Sequence, residues 1–384
     1  MNILEVPAVS LPMEADELRR QVRDFLTNEL QAGRIESNCD CWLSGFSADF
    51  SKRLGDMGWI GMTWPAEYGG HERSSLERYT VIEELLAFGA PVAGHWIADR
   101  QSGPLLLKYG TEEQKRHFLP RIAKGECFFC IGLSEPNAGS DLAAIQTRAT
   151  KTKGGWLLNG SKIWTSGAHF SHYMIALCRT DDLDTQKRHA GMSQMIVDLS
   201  SDGVTIRPIL LMTGEHHFNE VFFDDVFIPD NRLIGLEGEG WVQSMAELAY
   251  ERSGPERFLS TYPLLNELTN FLLEKEDHEG LLVISRLTAR LWSLRNLSIG
   301  IADQLDKDVP SDISAALVKD MGTQFEQEIA ELAREYTSVI PSVQSSDRLS
   351  RLLAESILQS PGFTLRGGTT EILRGIIAKG VFKA

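Results

Sequence analysis

The chain has little of what several classes of protein require. Of its 384 residues, 38 are lysine or arginine and 53 aspartate or glutamate, for a formal net charge of −15. The clustered basic charge that a phosphate backbone needs is missing, which excludes nucleic acid as a partner. No apolar run approaches bilayer-spanning length, and the opening MNILEVPAVSLPMEADEL lacks the basic-then-apolar order of a signal peptide. No membrane partner and a cytoplasmic location are therefore expected. Cysteine is scarce, five in all, with Cys39 and Cys41 spaced C-x-C and Cys127 and Cys130 spaced C-x-x-C. The second pair falls in an apolar run where strand alternation sends the two side chains to opposite faces. Buried free thiols are expected there, and no metal site.

The length exceeds one ordinary core and predicts two or three packed modules. Leu18, Val22, Phe25 and Leu26 recur at helical spacing behind an acidic first turn, and Phe46, Phe50, Leu54 and Met57 repeat the pattern. Ser74-Ser75-Leu76-Glu77 reads as a capping box, and Thr111, with Gln114 after it, opens a helix expected to end at Pro120. Residues 1–120 thus read as an N-terminal α-helical domain. Over residues 121–234 the period changes to two, with strands expected at 173–178, 195–199, 204–209 and 220–227 and an exposed polar loop at 181–189. That pattern predicts a middle β-barrel or sandwich domain. Residues 235–384 return to long amphipathic helices and predict a C-terminal four-helix-type bundle, giving an α+β multidomain chain.

The stretch CFFCIGLSEPNAGSDLAAIQTRATKTKGGWLLNGSKIWTSGAH, residues 127–169, carries the densest local signal. A strand-length apolar run stops at the turn formers of residues 134–141, whose backbone N–H groups lack ladder partners and suit an anion. Residues 146–152 and 156–159 flank Lys153-Gly154-Gly155, and Asn159-Gly160 is suited to a tight hairpin turn before residues 161–165. Successive antiparallel strands presenting Trp164 beside Thr165 and Ser166 are expected. Gly235-Leu-Glu-Gly238-Glu-Gly240 has the wrong spacing for a dinucleotide fingerprint and no βαβ unit around it, so it reads as a link into the next helix. His169 and His172 read as satisfied loop residues, with no third ligand near in sequence.

LSEPNAGSD followed by LNGSKIWTSGA resembles the flavin-binding signature of the acyl-CoA dehydrogenase family. GWIGMTWPAEYGG, GPLLLKYGTEEQKRHFLPRIAKGE and FNEVFFDDVFIPDNRLIG lie in that family's order around it, so the resemblance spans nearly the whole chain. It implies FAD as cofactor, an acyl-CoA thioester as substrate, and an electron-transfer flavoprotein as electron acceptor. The implied reaction removes a proton α to the thioester and passes hydride from the β carbon to flavin N5. Ile131, Leu133 and Ser134 are implied as strand-edge contacts to the flavin ring, and Ser140 as a contact to its pyrophosphate or to the acyl-CoA. Trp164 would wall the isoalloxazine, Thr165 and Ser166 would lie beside it with the Ser166 hydroxyl near N5, and Thr369 and Glu371 would meet the cofactor near the bundle.

The base occupies one of two places in the family. In the C-terminal motif Arg366-Gly367-Gly368-Thr369-Thr370-Glu371 its position falls on Gly367, which has no side chain. The other place is the first helix after the β domain, where Ala246-Glu247-Leu248-Ala249-Tyr250-Glu251-Arg252 puts Glu251 at the base position. That placement is shared with members acting on branched, long-chain or sterol-side-chain acyl groups. Tyr250 and Arg252 are implied as contacts to CoA. Read without the resemblance, Glu251 and Glu247 make a solvated helix face. The family's Arg-x-x-Phe-Gly and Gln-x-x-Gly-Gly-x-Gly motifs, which contact FAD across subunits, are absent from NFLLEKEDHEGLLVISRL and AESILQSPGF. A homo-oligomer, dimer or tetramer, and a heteromer with a related subunit both remain open. Alternative activities are an enoyl-CoA reductase, a dehydrogenase of acyl groups on a carrier protein, and a non-catalytic subunit.

Overall fold

Local capping signals set most of the early helices. The computed structural model describes residues 6–251, 253–307, 309 and 311–383, and does not describe the side chains of residues 248–251 and 383. Helix α1 (Met13–Gln31) carries Glu14 and Asp16 in its first turn, where they complement the helix dipole, and buries Leu18, Val22 and Leu26 along one face. A short α2 (Cys41–Ser44) and α3 (Ala48–Asp56) follow, the latter N-capped by Ser47. Both predicted capping boxes form: Ser74 with Glu77 at the start of α4 (Ser75–Phe88), and Thr111 with Gln114 at the start of α7 (Glu112–Ala123). Between them lie α5 (Ala93–Ile97), a π-helical turn (Ala98–Ser102) and α6 (Gly103–Tyr109). Helix α7 runs through Pro120 rather than ending at it. The missing N–H frees only the carbonyl of Arg116, a residue exposed to water.

The middle segment forms one curled seven-stranded sheet: β1 (Phe129–Gly132), β2 (Arg148–Thr152), β3 (Gly155–Ser166), β4 (Tyr173–Arg179), β5 (Met192–Asp198), β6 (Val204–Leu210) and β7 (His216–Pro229). Its order is β1-β4-β2-β3-β7-β6, with β5 on β4, and Cys130, Trp156, Leu158, Met174, Val197 and Phe223 fill the core beneath it. Two local expectations fail. Strand β1 pairs β4 in parallel, not antiparallel to its sequence neighbour. Asn159-Gly160 is no turn but the interior of β3, opposite a bulge where β7 carries an extra residue. Asn159 donates to Asp225 Oδ1 at 2.8 Å and accepts from the Asp225 N–H at 2.9 Å, holding Asp225 at φ +48. Gly160 is needed because a Cβ there would lie 2.7 Å from the Thr147 Cα. The turn falls instead at Lys153-Gly154, with Gly154 at φ +80.

After the sheet come α8 (Gly240–Glu251), α9 (Tyr262–Glu274), α10 (His278–Asp306), α11 (Asp312–Tyr336), α12 (Arg348–Phe363) and α13 (Thr370–Lys383). The chain packs as two compact units. One takes Met1–Gly45, Arg73–Val92 and Arg252–Ala384; the other takes Phe46–Glu72 and Ala93–Glu251. The first is a helical bundle in which α11 packs against α9, α10, α12 and α13, and α4 against α1, α9 and α10. Glu83 and Glu84, buried on α4, are matched by Arg19 and Arg295 on Glu83 and by Arg23 on Glu84, as burial of charge requires. The second holds the sheet with α3, α5, α6, α7 and α8. Gln114 ties that unit together, its amide donating to the Asn231 and Leu233 carbonyls, each at 2.8 Å.

Candidate functional site

The strand residues implied to meet the flavin all belong to the sheet unit. Ile131, Leu133, Ser134 and Ser166 are half-buried, and Ser140 is exposed. Ser134 is joined to β3 through its carbonyl, which accepts from the Ile163 N–H at 2.9 Å. Between Lys162, opposite Val221, and Thr165, opposite Asn219, β3 carries one residue more than β7. This bulge throws Trp164 into the left-handed region at φ +58, with the residue 57% exposed and its indole packed edge-on to Phe218 at 5.8 Å. A bulky residue held there costs about 1–3 kcal/mol, and such strain concentrates at functional sites.

A flat exposed aromatic, half-buried aliphatic neighbours and the adjacent Ser166 hydroxyl fit a flat, amphipathic ring system. Thr165, by contrast, is enclosed, and its Oγ1 has no partner among the described residues. Thr369, half-buried, and Glu371, exposed, belong to the helical unit. There its own backbone N–H, and after it a hydrogen bond from the Thr369 side chain, hold the Glu371 carboxyl below its usual range.

The turn at residues 134–141 spends its polar groups on itself. Glu135 and Ala138 exchange backbone hydrogen bonds at 2.9 and 3.0 Å. The Glu135 carboxylate, folded inward, accepts from the N–H of Gln146 at 2.6 Å and of Thr147 at 3.0 Å. Lys162, fully enclosed on β3, closes the pair at 2.7 Å and also donates to the Leu133 carbonyl at 3.2 Å. Burial opposes charge on both groups. For Glu135 the ammonium and the two N–H donors prevail, holding its pKa below the usual range, whereas burial pushes Lys162 below its own. Of the expected anion-binding donors in the turn, the N–H groups of Glu135 and Ala138 are taken up by each other's carbonyls. Ser140 stands beside an exposed Arg188–Asp141 pair at 2.7 Å.

Helix α8 ends at Glu251, whose side chain, like that of Tyr250, lies outside the described residues, as does Arg252 entirely. Glu247 is described and is no part of a solvated face. It is buried, 4% exposed, and accepts from Gln194 Nε2 at 3.1 Å; the same amide reaches Ser244 Oγ at 3.1 Å. Gln243, also enclosed, donates to the Ile234 carbonyl at 2.9 Å. Polar contacts thus fix which face of α8 meets β5. Nothing in the periodicity of α8 distinguishes these buried polar residues from exposed ones, so sequence reasoning misses them.

In the helical unit, Gly367 adopts φ +66, and a Cβ built there would lie 3.0–3.2 Å from the Arg257 guanidinium. Arg257 is buried against one side of Trp42, and Arg366 lies over the same indole. Arg366 is bidentate to Asp40 at 2.6 and 2.7 Å and donates to Ser260 Oγ at 2.9 Å. All five cysteines are buried and free; burial pushes the thiols of Cys127 up to about 11 and of Cys130 and Cys178 up to about 12, leaving them inert. No helix among the described residues is long and apolar enough to cross a membrane.

Comparison with known proteins completes the picture. Residues 12–126 match the acyl-CoA dehydrogenase N-terminal domain and residues 130–226 the acyl-CoA dehydrogenase middle domain. The chain is 33% identical over 379 residues to acyl-CoA dehydrogenase IpdE1 of Mycobacterium tuberculosis, covering 96% of this chain and 97% of that protein. It is 30% identical to acyl-CoA dehydrogenase FadE29 of the same organism, covering 96% and 97%. Among solved structures, the Tcur3481-Tcur3483 steroid ACAD is similar at TM-score 0.87 and 27% identity, covering 100% of this chain and 99% of that one. The ChsE4-ChsE5 complex from Mycobacterium tuberculosis is similar at TM-score 0.84 and 27% identity, covering 98% and 99%. With the strained aromatic rim, the enclosed sheet and the helical unit in place, the chain belongs to the acyl-CoA dehydrogenase family of FAD-dependent oxidoreductases.

Proposed function

We propose that the chain desaturates the α,β bond of an acyl-CoA thioester, with Glu251 as the base that takes the α proton. The observation that carries the assignment is Gly367. It carries no side chain, and its left-handed backbone at φ +66 strains any residue that would bring a carboxylate there. This supports the second of the family's two base positions, on α8, where Glu251 is the last residue. FAD, when bound, supplies the acceptor for the β hydride. Ile131, Leu133, Ser134, Trp164, Thr165 and Ser166 bind its ring edge, Ser140 its pyrophosphate or the CoA, and Thr369 and Glu371 its side nearer the bundle. Tyr250 and Arg252 contact CoA. Glu247, bonded to Gln194, sets the rotation of α8 and so the direction in which a residue four positions on can reach a proton.

The relatives named for steroid substrates and for two-subunit complexes favour a bulky cyclic acyl group and a heteromer with a related subunit. Electrons leave to an electron-transfer flavoprotein in the cytoplasm, and the domain boundaries near residues 120 and 234 belong to the same reading. The test is Glu251→Gln, assayed by anaerobic bleaching of the flavin with a panel of cyclic and branched acyl-CoA thioesters. The variant keeps the flavin and binds thioester but fails to bleach, because the amide is nearly isosteric and takes no proton. Bleaching at the parental rate refutes the assignment.

A further inference from the structure

The bulge that exposes Trp164 is held by side chains with no part in the reading so far. Asn219, fully buried on β7 opposite Thr165, donates through Nδ2 to the Thr165 carbonyl at 3.0 Å. The same amide nitrogen lies 3.1 Å from His169 Nδ1, and Asn219 Oδ1 lies 2.7 Å from His216 Nε2. The two imidazoles stack on each other, with centroids 3.8 Å apart and planes 23° from parallel. The Gly167 N–H, just past the bulge, donates to the His217 carbonyl at 3.0 Å.

These contacts have only one consistent polarity. A carbonyl only accepts, so Thr165 requires the nitrogen end of the Asn219 amide. The second hydrogen on that nitrogen then needs an unprotonated His169 Nδ1, and the oxygen end needs a hydrogen on His216 Nε2. The Thr165 carbonyl thus sets the orientation of one buried amide, and two exposed rings, 47 residues apart in the chain, complete its remaining hydrogen bonds. That amide holds the carbonyl of the residue next to Trp164. The cluster opposes the backbone strain at φ +58 that would otherwise relax the indole back into the sheet.

We propose that Asn219 is a positioning residue for the flavin edge, and that the stacked His169–His216 pair supports its amide by completing its hydrogen bonds, so that Trp164 and Ser166 are presented to the cofactor. The inference rests on the FAD reading above, and the test keeps the two separable. Apoprotein of the parent, Asn219→Asp, His216→Leu and His216→Gln is titrated with FAD. The near-ultraviolet circular dichroism of Trp164 is taken in each background as the difference from the same protein carrying Trp164→Phe.

Asn219→Asp replaces the donor facing Thr165 by an acceptor, so FAD binds at least tenfold more weakly and the Trp164 signal collapses. His216→Leu weakens FAD about fivefold, while His216→Gln, which restores a donor to Asn219 Oδ1, stays within twofold of the parent. If Asn219→Asp does not fold, the two variants at the exposed His216 decide by the same criterion. Parental FAD affinity and an unchanged Trp164 signal in Asn219→Asp or His216→Leu overturn the inference. A parent that binds no FAD overturns the cofactor reading instead.

Discussion

Glu326 is a buried carboxyl of the helical unit held short of a close counter-ion, and replacing it by glutamine tests that directly. It is 1% solvent-accessible on α11, and its Oε1 accepts from the Ser260 N–H at 2.8 Å. Its other oxygen lies 3.9 Å from Arg366, whose guanidinium is already committed to Asp40. Burial therefore dominates, and although Arg366 and Ser260 pull the other way, the carboxyl is pushed from 4.5 up to about 7. A pKa raised in the folded state means the folded chain holds this proton more tightly than the unfolded chain. The stabilisation is complete below 4.5 and is lost as pH rises through 7. At about 1.4 kcal/mol per pH unit, that loss reaches roughly 3–4 kcal/mol by pH 8.

Glu326→Gln keeps the acceptor for Ser260 and carries no charge, so it escapes the loss. Its melting temperature should match the parent's near pH 4.5 and exceed it by roughly 3–6 °C at pH 8. Thermal melts of the flavin-loaded parent and variant across that range measure the difference. A gap that does not widen with pH refutes the account of Glu326 as a buried carboxyl short of a partner.

Two further substitutions probe the sheet unit. Lys162→Met leaves Glu135 buried without its counter-ion and should lower stability by about 3–5 kcal/mol in urea denaturation, with Glu135→Gln in the same chain recovering part of it; a loss under 1 kcal/mol would show that the pair is dispensable. Glu247→Ala strands the Gln194 amide at a cost of about 1–3 kcal/mol and should slow flavin bleaching several-fold without abolishing it, whereas Glu247→Gln stays close to the parent. Complete loss of bleaching in Glu247→Gln, with Glu251→Gln active, would move the base to Glu247.

Much of the architecture was legible from neighbours a few residues apart. The two capping boxes, the acidic first turn of α1 and the switch from helical to alternating period each depend on groups within one turn or one strand, so they appear in the chain as it is written. The family resemblance likewise rested on motifs in linear order, and the matched domains bear it out. The free, buried thiols agree with the apolar run around Cys127 and Cys130.

What only the tertiary structure decided involves partners brought together from far apart. Asn159-Gly160 has the chemistry of a turn, but pairing of β3 with β7 gives Asn159 a better use against Asp225, and the hairpin moves to Gly154. Lys162 finds Glu135 across 27 residues, and Asn219 finds Thr165 across 54, because sheet order sets those neighbours. Glu247 looks like surface charge in the sequence and is buried because Gln194 of β5 meets it there. The chain by itself determined which segments become helix or strand and which family they compose. Packing alone decided where the buried charges lie, why Trp164 points outward and why glycine suits position 367, since desolvation and hydrogen-bond geometry depend on distances that a linear sequence does not contain.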